Sequence, residues 1–180
     1  MCKPASFIIT KTNCYWSKNS DSHEVIIKEN NLNDKLDPPQ LVRCEVAPHN
    51  NDFSATLDLW EFTTDQDILP IWYDANDAEA ACRRELPNWL ASNVILQNQA
   101  IDKCEKYIVA CMGRIDMVCD SSRIDMVCDS ASIGRVCDSA VITIMSKSIK
   151  ITPVDNVVVI ERSGNDVKAF TKDTYKTRGE

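Results

Sequence analysis

A nine-residue repeat in the second half of the chain constrains the fold more than any other feature. In register the chain reads GRIDMVCDS from Gly113, SRIDMVCDS from Ser122 and ASIGRVCDS from Ala131, with a degraded copy, AVITIMSKS, from Ala140. Ile115, Ile124, Ile133, Ile142, Ile151 and Ile160 keep the stride, as do Val118, Val127, Val136, Met145 and Val154. Cys119, Cys128 and Cys137 follow it until Ser146 takes the slot, and Asp120, Asp129 and Asp138 follow it until Lys147 does. Ile, Val and Ser dominate and no 3.6-residue pattern runs through them, which disfavours helix.

Within one nonad, Ala131 and Ile133 share a strand face, whereas Val136 falls on the opposite face of a flat strand. A bend between them puts all three inside. Short strand, corner, short strand is the coil of a β-solenoid. One nonad is too short to enclose a core, so two nonads per turn are expected, with turns stacked about 4.8 Å apart. An antiparallel meander turning at DSS and DSA is the rival arrangement. Strands over 149–154, 157–162 and 166–171, with turns at Asp155-Asn156 and Gly164-Asn165, form a hairpin that caps the open end.

The first half reads as α+β. Strands are expected at PASFIIT, 14–16, Leu41–Ala47 and 57–62. Asp21 with Glu24 makes a capping box for a short helix carrying Val25, Ile26 and Ile27. Asp74 caps a second helix that runs to about residue 86, where Pro87 interrupts it. Strands at 94–96 and 107–112 lead into the first repeat. The expected fold class is an α+β N-terminal module (1–111) followed by a short β-solenoid of nonapeptide repeats with a C-terminal β-hairpin cap (112–180).

Charge is unevenly placed. Residues 1–110 hold 10 Lys+Arg against 17 Asp+Glu, and residues 111–180 hold 10 of each, giving the net −7 of the 180-residue chain. That balance argues against general nucleic-acid affinity, which needs a basic face. No apolar run approaches the length of a membrane span, and MCKPASFIITK lacks the pattern of a signal peptide. Of the nine cysteines none forms a CxxC, and His23 and His49 lie far apart, so small buried thiols in a reducing cytosol are expected rather than zinc. With two nonads per turn, Cys119 and Cys137 stack one rung apart.

Signatures of common enzyme classes are absent: there is no GxSxG, HExxH, phosphate loop or GxGxxG. Ser22, His23 and Glu24 are neighbours along a helix and do not face each other, which excludes a triad there. His49 sits in a polar loop, PHNND. Asp65 and Asp67 form a DQD pair suited to a hard cation but lack a third carboxylate in sequence, and the repeated aspartates lack the glycine-rich turn of calcium rolls. The expectations are no catalytic residue, no metal site and no cofactor.

The functional oddity is the interval 44–82. It holds nine carboxylates and not one Lys or Arg, interleaved with Phe53, Trp60, Phe62, Trp72 and Tyr73. Asp58, Glu61, Asp65, Asp67, Asp74 and Asp77, with Trp60 and Trp72 as aromatic anchors, are the candidate partner-binding residues for a basic protein. Such a surface imitates the charge of nucleic acid. Two other classes stand beside it. One is oligomeric sequestration of a small nucleotide signal, using Arg83 and Arg84 or Arg114, Arg123 and Arg135. The other is a structural or oligomerisation module of a virion, built on the solenoid.

Three stretches carry a resemblance: PASFIITKTNCYWSKNSDSHEVIIKENNL, LPIWYDANDAEAACRRELPNWL, and the nonads with Ile and Val three apart. Together they resemble small phage and prophage proteins in which an N-terminal α/β module precedes Ser-Ala-x-Ile-x-x-Val repeats. The likeness covers most of the chain. Its motifs are structural and bring no catalytic residue. The copies depart from that form at Arg114 and Arg123, where the family has Ala, and in the Cys-Asp-Ser corner. The resemblance implies a phage-encoded accessory protein acting in the cytoplasm of an infected bacterium and names no target; the acidic, aromatic surface makes an inhibitor of a host defence or nucleic-acid-handling protein the expected role.

Overall fold

The computed structural model describes residues 5–49, 52, 53, 55–97, 99–101, 106–110, 114–127, 131–145, 151–153, 157–163, 166–171 and 174. The chain divides into two units, Met1–Ser92 and Asn93–Glu180. The division comes earlier than residue 111 because strands ahead of the first nonad already pair with repeat strands.

In the first unit β1 (Ser6–Thr10) lies between β2 (Cys14–Tyr15) and β3 (Leu41–Ala47), and β4 (Glu61–Thr64) pairs on the far side of β3. All three pairings are antiparallel. β1 is buried along nearly its whole length because helices cover both faces. Ile8 packs with Ile26 and Ile27 of α1 (His23–Glu29), while its neighbour Ile9 points the other way, toward Ala78 and Ala81 of α2 (Ala75–Asn93).

Three local expectations are corrected here. Helix α2 continues through Pro87. The missing N–H removes one helical bond, but Leu86 and Trp89 on either side are fully buried, and their packing holds the helix together. The capping box does not form. Ser22 is the N-cap without a side-chain cap bond, Asp21 instead accepts the Ser6 N–H at 2.7 Å, and Glu24 accepts the Ser22 hydroxyl at 2.8 Å. The strand expected over 57–62 is a 3-10 turn, Leu57–Leu59, followed by β4. Arg83 bonds the carbonyls left outside the sheet, donating to Leu57 O and Trp60 O at 2.9 Å each.

The second unit is built from β5 (Val94–Ile95), β6 (Gln99–Ile101), β7 (Lys106–Ala110), β8 (Arg114–Val118), β9 (Arg123–Val127), β10 (Ser132–Val136), β11 (Val141–Ile144), β12 (Thr152–Pro153), β13 (Val158–Ser163) and β14 (Asp166–Phe170). Four strands form one sheet in the order β12-β10-β8-β6, and six form another in the order β14-β13-β11-β9-β7-β5. Pairings are parallel throughout, except that β13 and β14 are antiparallel. The rival meander is therefore absent from the repeats.

The β-solenoid is also corrected. The described strands form open sheets, antiparallel in the first unit and parallel or mixed in the second. No sheet closes or runs on as a single solenoid sheet. The physical reason lies in the corner. At Cys119 and Cys137 the carbonyl accepts the N–H of Ser122 and Ala140, at 3.2 and 3.3 Å, and Asp120 and Asp138 take left-handed φ of 57° and 58°. Each turn passes the chain from one sheet to the other, and both sheets end at open edges.

Four of the six repeated isoleucines face inward, while Ile151 and Ile160 are half-buried and Ile160 lies opposite Thr143 rather than Ile142. Ile115, Ile124 and Ile142 are 0% exposed and Ile133 is 3%, in one core with Val118, Val127 and Val136. Ala131, Ile133 and Val136 are all buried, as the bend requires. That bend is visible in the pairing. β10 pairs with β8 at Ile133↔Ile115 and again at Arg135↔Met117, but not at the residue between, and β7 with β9 likewise skips Asp125. On the outside, Arg114 pairs with Asp116 at 2.8 Å and Arg123 with Asp125. Cys119 and Cys137 are free thiols that donate to Ile101 O and Val118 O at 3.5 and 3.6 Å. Cys128, Asp129, Asp155-Asn156, Gly164-Asn165 and residues 149–150 lie outside the described residues. Among the described residues no helix is long and apolar enough to cross a membrane.

The skipped residue of β10 is Gly134, where a Cβ would meet Asp116 O at 2.6 Å. Backbone on a paired strand cannot swing away as a side chain can. Gly134→Ala is expected to lower stability by about 1–3 kcal/mol, read as a drop in the urea midpoint.

Candidate functional site

The acidic interval comes to the surface between β3 and the start of α2. Asp58, Glu61, Asp65, Asp67, Asp74 and Asp77 are all exposed. Several have work within the fold. Glu61 pairs with His49 Nδ1 at 3.0 Å, and Asp74 caps α2 by accepting the N–H groups of Asn76 and Asp77 at 2.9 and 3.1 Å. Asp58, Asp67 and Asp77 make no ion pair with a described residue. Arg83, at the end of the cation-free interval, is tied to Glu79 at 2.6 Å and to the two carbonyls named above.

The aromatic anchors are placed differently. Trp60 is 1% exposed, stands edge-on to Phe53 at 5.6 Å and donates to Ala55 O, so it serves the core and offers no face to a partner. Trp72 is half-buried. The exposed apolar groups are aliphatic: Leu59 at 62%, Ile68 at 71%, Leu69 at 40% and Ile71 at 97%.

These side chains are held outward by an anchored loop. Gln66 donates to Leu41 O at 3.1 Å and Ile68 O at 2.6 Å, and accepts the Arg43 N–H at 3.3 Å. Asp65 N–H reaches Arg43 O at 2.9 Å, Tyr73 N–H reaches Pro70 O at 3.0 Å, and the Tyr73 and Thr64 hydroxyls meet at 2.6 Å. Pro70 is buried between the exposed isoleucines. The loop therefore presents Ile68 and Ile71 to solvent among carboxylates, a pairing that charge counting alone misses. The string DQDILPI holds the signal: three aliphatic residues next to aspartates and proline, with neither helical nor strand period.

No family model, curated protein or solved structure matches this chain. Function must therefore be argued from the surface itself.

Beside the acidic segment, a cavity of about 420 Å³ lies between the β1–β2 turn and α2, lined in part by Trp72, Asp74 and Asp77 with Lys11, Cys14 and Arg84. Its two carboxylates offset its two cations, so it does not select a phosphate. Cys82, 0% exposed, bonds to the thiols of Cys14 and Cys44, and those bonds together with burial push its pKa well above the ordinary thiol value. Cys137 is pushed up by burial and by Asp138. Neither supplies a thiolate nucleophile at neutral pH. His23 is buried, with Nε2 on Cys44 O at 3.1 Å, away from any Ser22–Glu24 triad.

Beneath this face burial raises the Asp21 carboxyl from 3.8 to about 7, opposed by the Ser6 N–H bond and reinforced by the charge of Glu45. The folded protein therefore holds a proton that the unfolded chain has lost over this window. Stability from this group is full below pH about 4 and falls as pH rises toward 7. In EDTA-treated protein, urea midpoints are expected to decline across that range, and Asp21→Asn is expected to flatten the decline.

Proposed function

We propose that the chain is a non-catalytic binding protein whose 58–77 face docks on a basic partner protein. The observation that carries this reading is the coincidence of exposed carboxylates with three exposed large aliphatic side chains, Ile68, Leu69 and Ile71, on one anchored loop, and with Leu59 on the turn before β4. Charge steers a cationic partner and sets the association rate, while Ile68 and Ile71 supply the apolar contact that holds it. Leu59, Leu69, Ile68 and Ile71 take the anchoring role first given to Trp60, and Trp72 contributes at most its accessible edge. An acidic face that imitates the charge of nucleic acid fits the cationic groove of a host defence or nucleic-acid-handling protein in the cytoplasm. The balanced charge of the cavity gives no support to nucleotide sequestration.

The test is a comparison of variants on one partner. A basic host protein captured by the wild-type chain is purified, and its affinity is measured at low and high salt. Wild-type affinity is expected to fall steeply with salt. Asp67→Lys with Asp77→Lys is expected to slow association by tenfold or more, and Ile68→Ser with Ile71→Ser to speed dissociation at unchanged salt slope. Binding that is indifferent to salt and to both double variants would defeat the reading.

A further inference from the structure

Behind the acidic face, three residues far apart in sequence converge. His23 opens α1 and is 1% exposed, Glu45 lies on β3 and is 7% exposed, and Asp65 follows β4 and is exposed. The antiparallel register places Glu45 beside Ser6, on the β1 face that α1 covers, and Asp65 is fixed by its N–H bond to Arg43 O. The ring nitrogen of His23 and one carboxylate oxygen from each acid all lie within 4.8 Å of one another. Of the DQD pair only Asp65 takes part, and it finds through space one further carboxylate, Glu45, and an imidazole.

The tautomer decides what such a cluster can hold. His23 Nε2 lies 3.1 Å from Cys44 O. A carbonyl only accepts, so Nε2 carries a hydrogen, and Nδ1 is the nitrogen turned toward the acids. Nδ1 is 3.6 Å from Asp65 Oδ2. That is too long for a direct hydrogen bond, which needs about 2.7–3.2 Å. It matches two ligands around one ion at bond lengths of about 2.0–2.2 Å, which stand roughly 3–3.6 Å apart. The carbonyl bond on the far nitrogen is the outer support that fixes the ring of a metal-bound histidine.

We infer that His23 Nδ1, Glu45 and Asp65 form a site for a divalent first-row transition ion of the zinc class, held by one nitrogen and two oxygen donors. Mixed imidazole and carboxylate donors suit Zn²⁺, Co²⁺ or Mn²⁺ better than Mg²⁺ or Cu⁺. The site shares only Asp65 with the docking face, and Asp67, Asp77, Ile68 and Ile71, which the docking test varies, take no part in it.

The protein is stripped with EDTA and titrated with CoCl₂ and ZnCl₂ by calorimetry and visible absorption. One Co²⁺ per chain is expected, with the ligand-field bands of a nitrogen and oxygen site and no thiolate charge-transfer band. Asp65→Ala, at an exposed position that the folded chain tolerates, is expected to weaken Zn²⁺ binding by tenfold or more and to abolish the metal-induced rise in melting temperature. His23→Gln is expected to do the same, with its fold checked by circular dichroism. Absence of saturable binding, equal affinity in Asp65→Ala, or a spectrum dominated by thiolate charge transfer would each overturn the assignment.

Discussion

The second unit depends on an odd number. Strands β8, β9 and β10 bury their second and fifth residues, three apart, while a regular strand returns to the same face only at even spacing, as the degraded copy in β11 does with Ile142 and Ile144. One residue of pairing must therefore be given up, and the ladder skips the third position of the strand. With that position free, Ile and Val from strands of both sheets share one core. The same position then carries whatever the outside demands: Asp116 and Asp125 answer an arginine two residues back, and Gly134 lets the backbone of β10 approach Asp116. Stride, break and corner are one constraint seen three times.

The first unit solves a different problem. Its central strands are covered on both faces, so polar groups that reach the interior must be satisfied there. Asp21 leaves the helix start to accept the Ser6 N–H, and Arg83 leaves the surface to serve two carbonyls. Gln66 does the equivalent at the rim, bonding backbone on either side of the turn. These bonds fix the loop between β4 and α2 so firmly that its aliphatic side chains cannot fold back into the core. Exposure of Ile71 at 97% thus goes with the hydrogen bonds that anchor the loop at Gln66 and Tyr73.

Local signals in the sequence reached local structure and stopped there. Strand β3 and the Asp74 cap of α2 were legible because alternation and capping act within a few residues. The inward register of the isoleucines was legible because a repeat shows its own buried positions. The pairing of alternate nonads, β8 with β10 and β9 with β11, followed from two nonads per turn, whereas the separation into open sheets did not, because whether sheets join is decided across turns. Pro87 misled for the same reason: its cost is local, and the burial of Leu86 and Trp89 that offsets it is tertiary. Trp60 looked like an anchor because its neighbours are acidic, yet acidity of neighbours says nothing about which way an indole turns.

Asp65 joins the two kinds of argument. As a member of the acidic interval it adds charge to the surface, and from sequence it is indistinguishable from Asp67. In space only Asp65 meets a buried histidine and a buried glutamate, because its backbone continues the pairing of β4 with β3 while Asp67 has already left the sheet. One residue of chain therefore separates a carboxylate that faces only solvent from an exposed one that reaches a buried histidine and a buried glutamate. An ion held there would neutralise Asp65 and fix the first residue of the loop. The carboxylates beyond it, with Ile68 and Ile71, would remain to meet a partner.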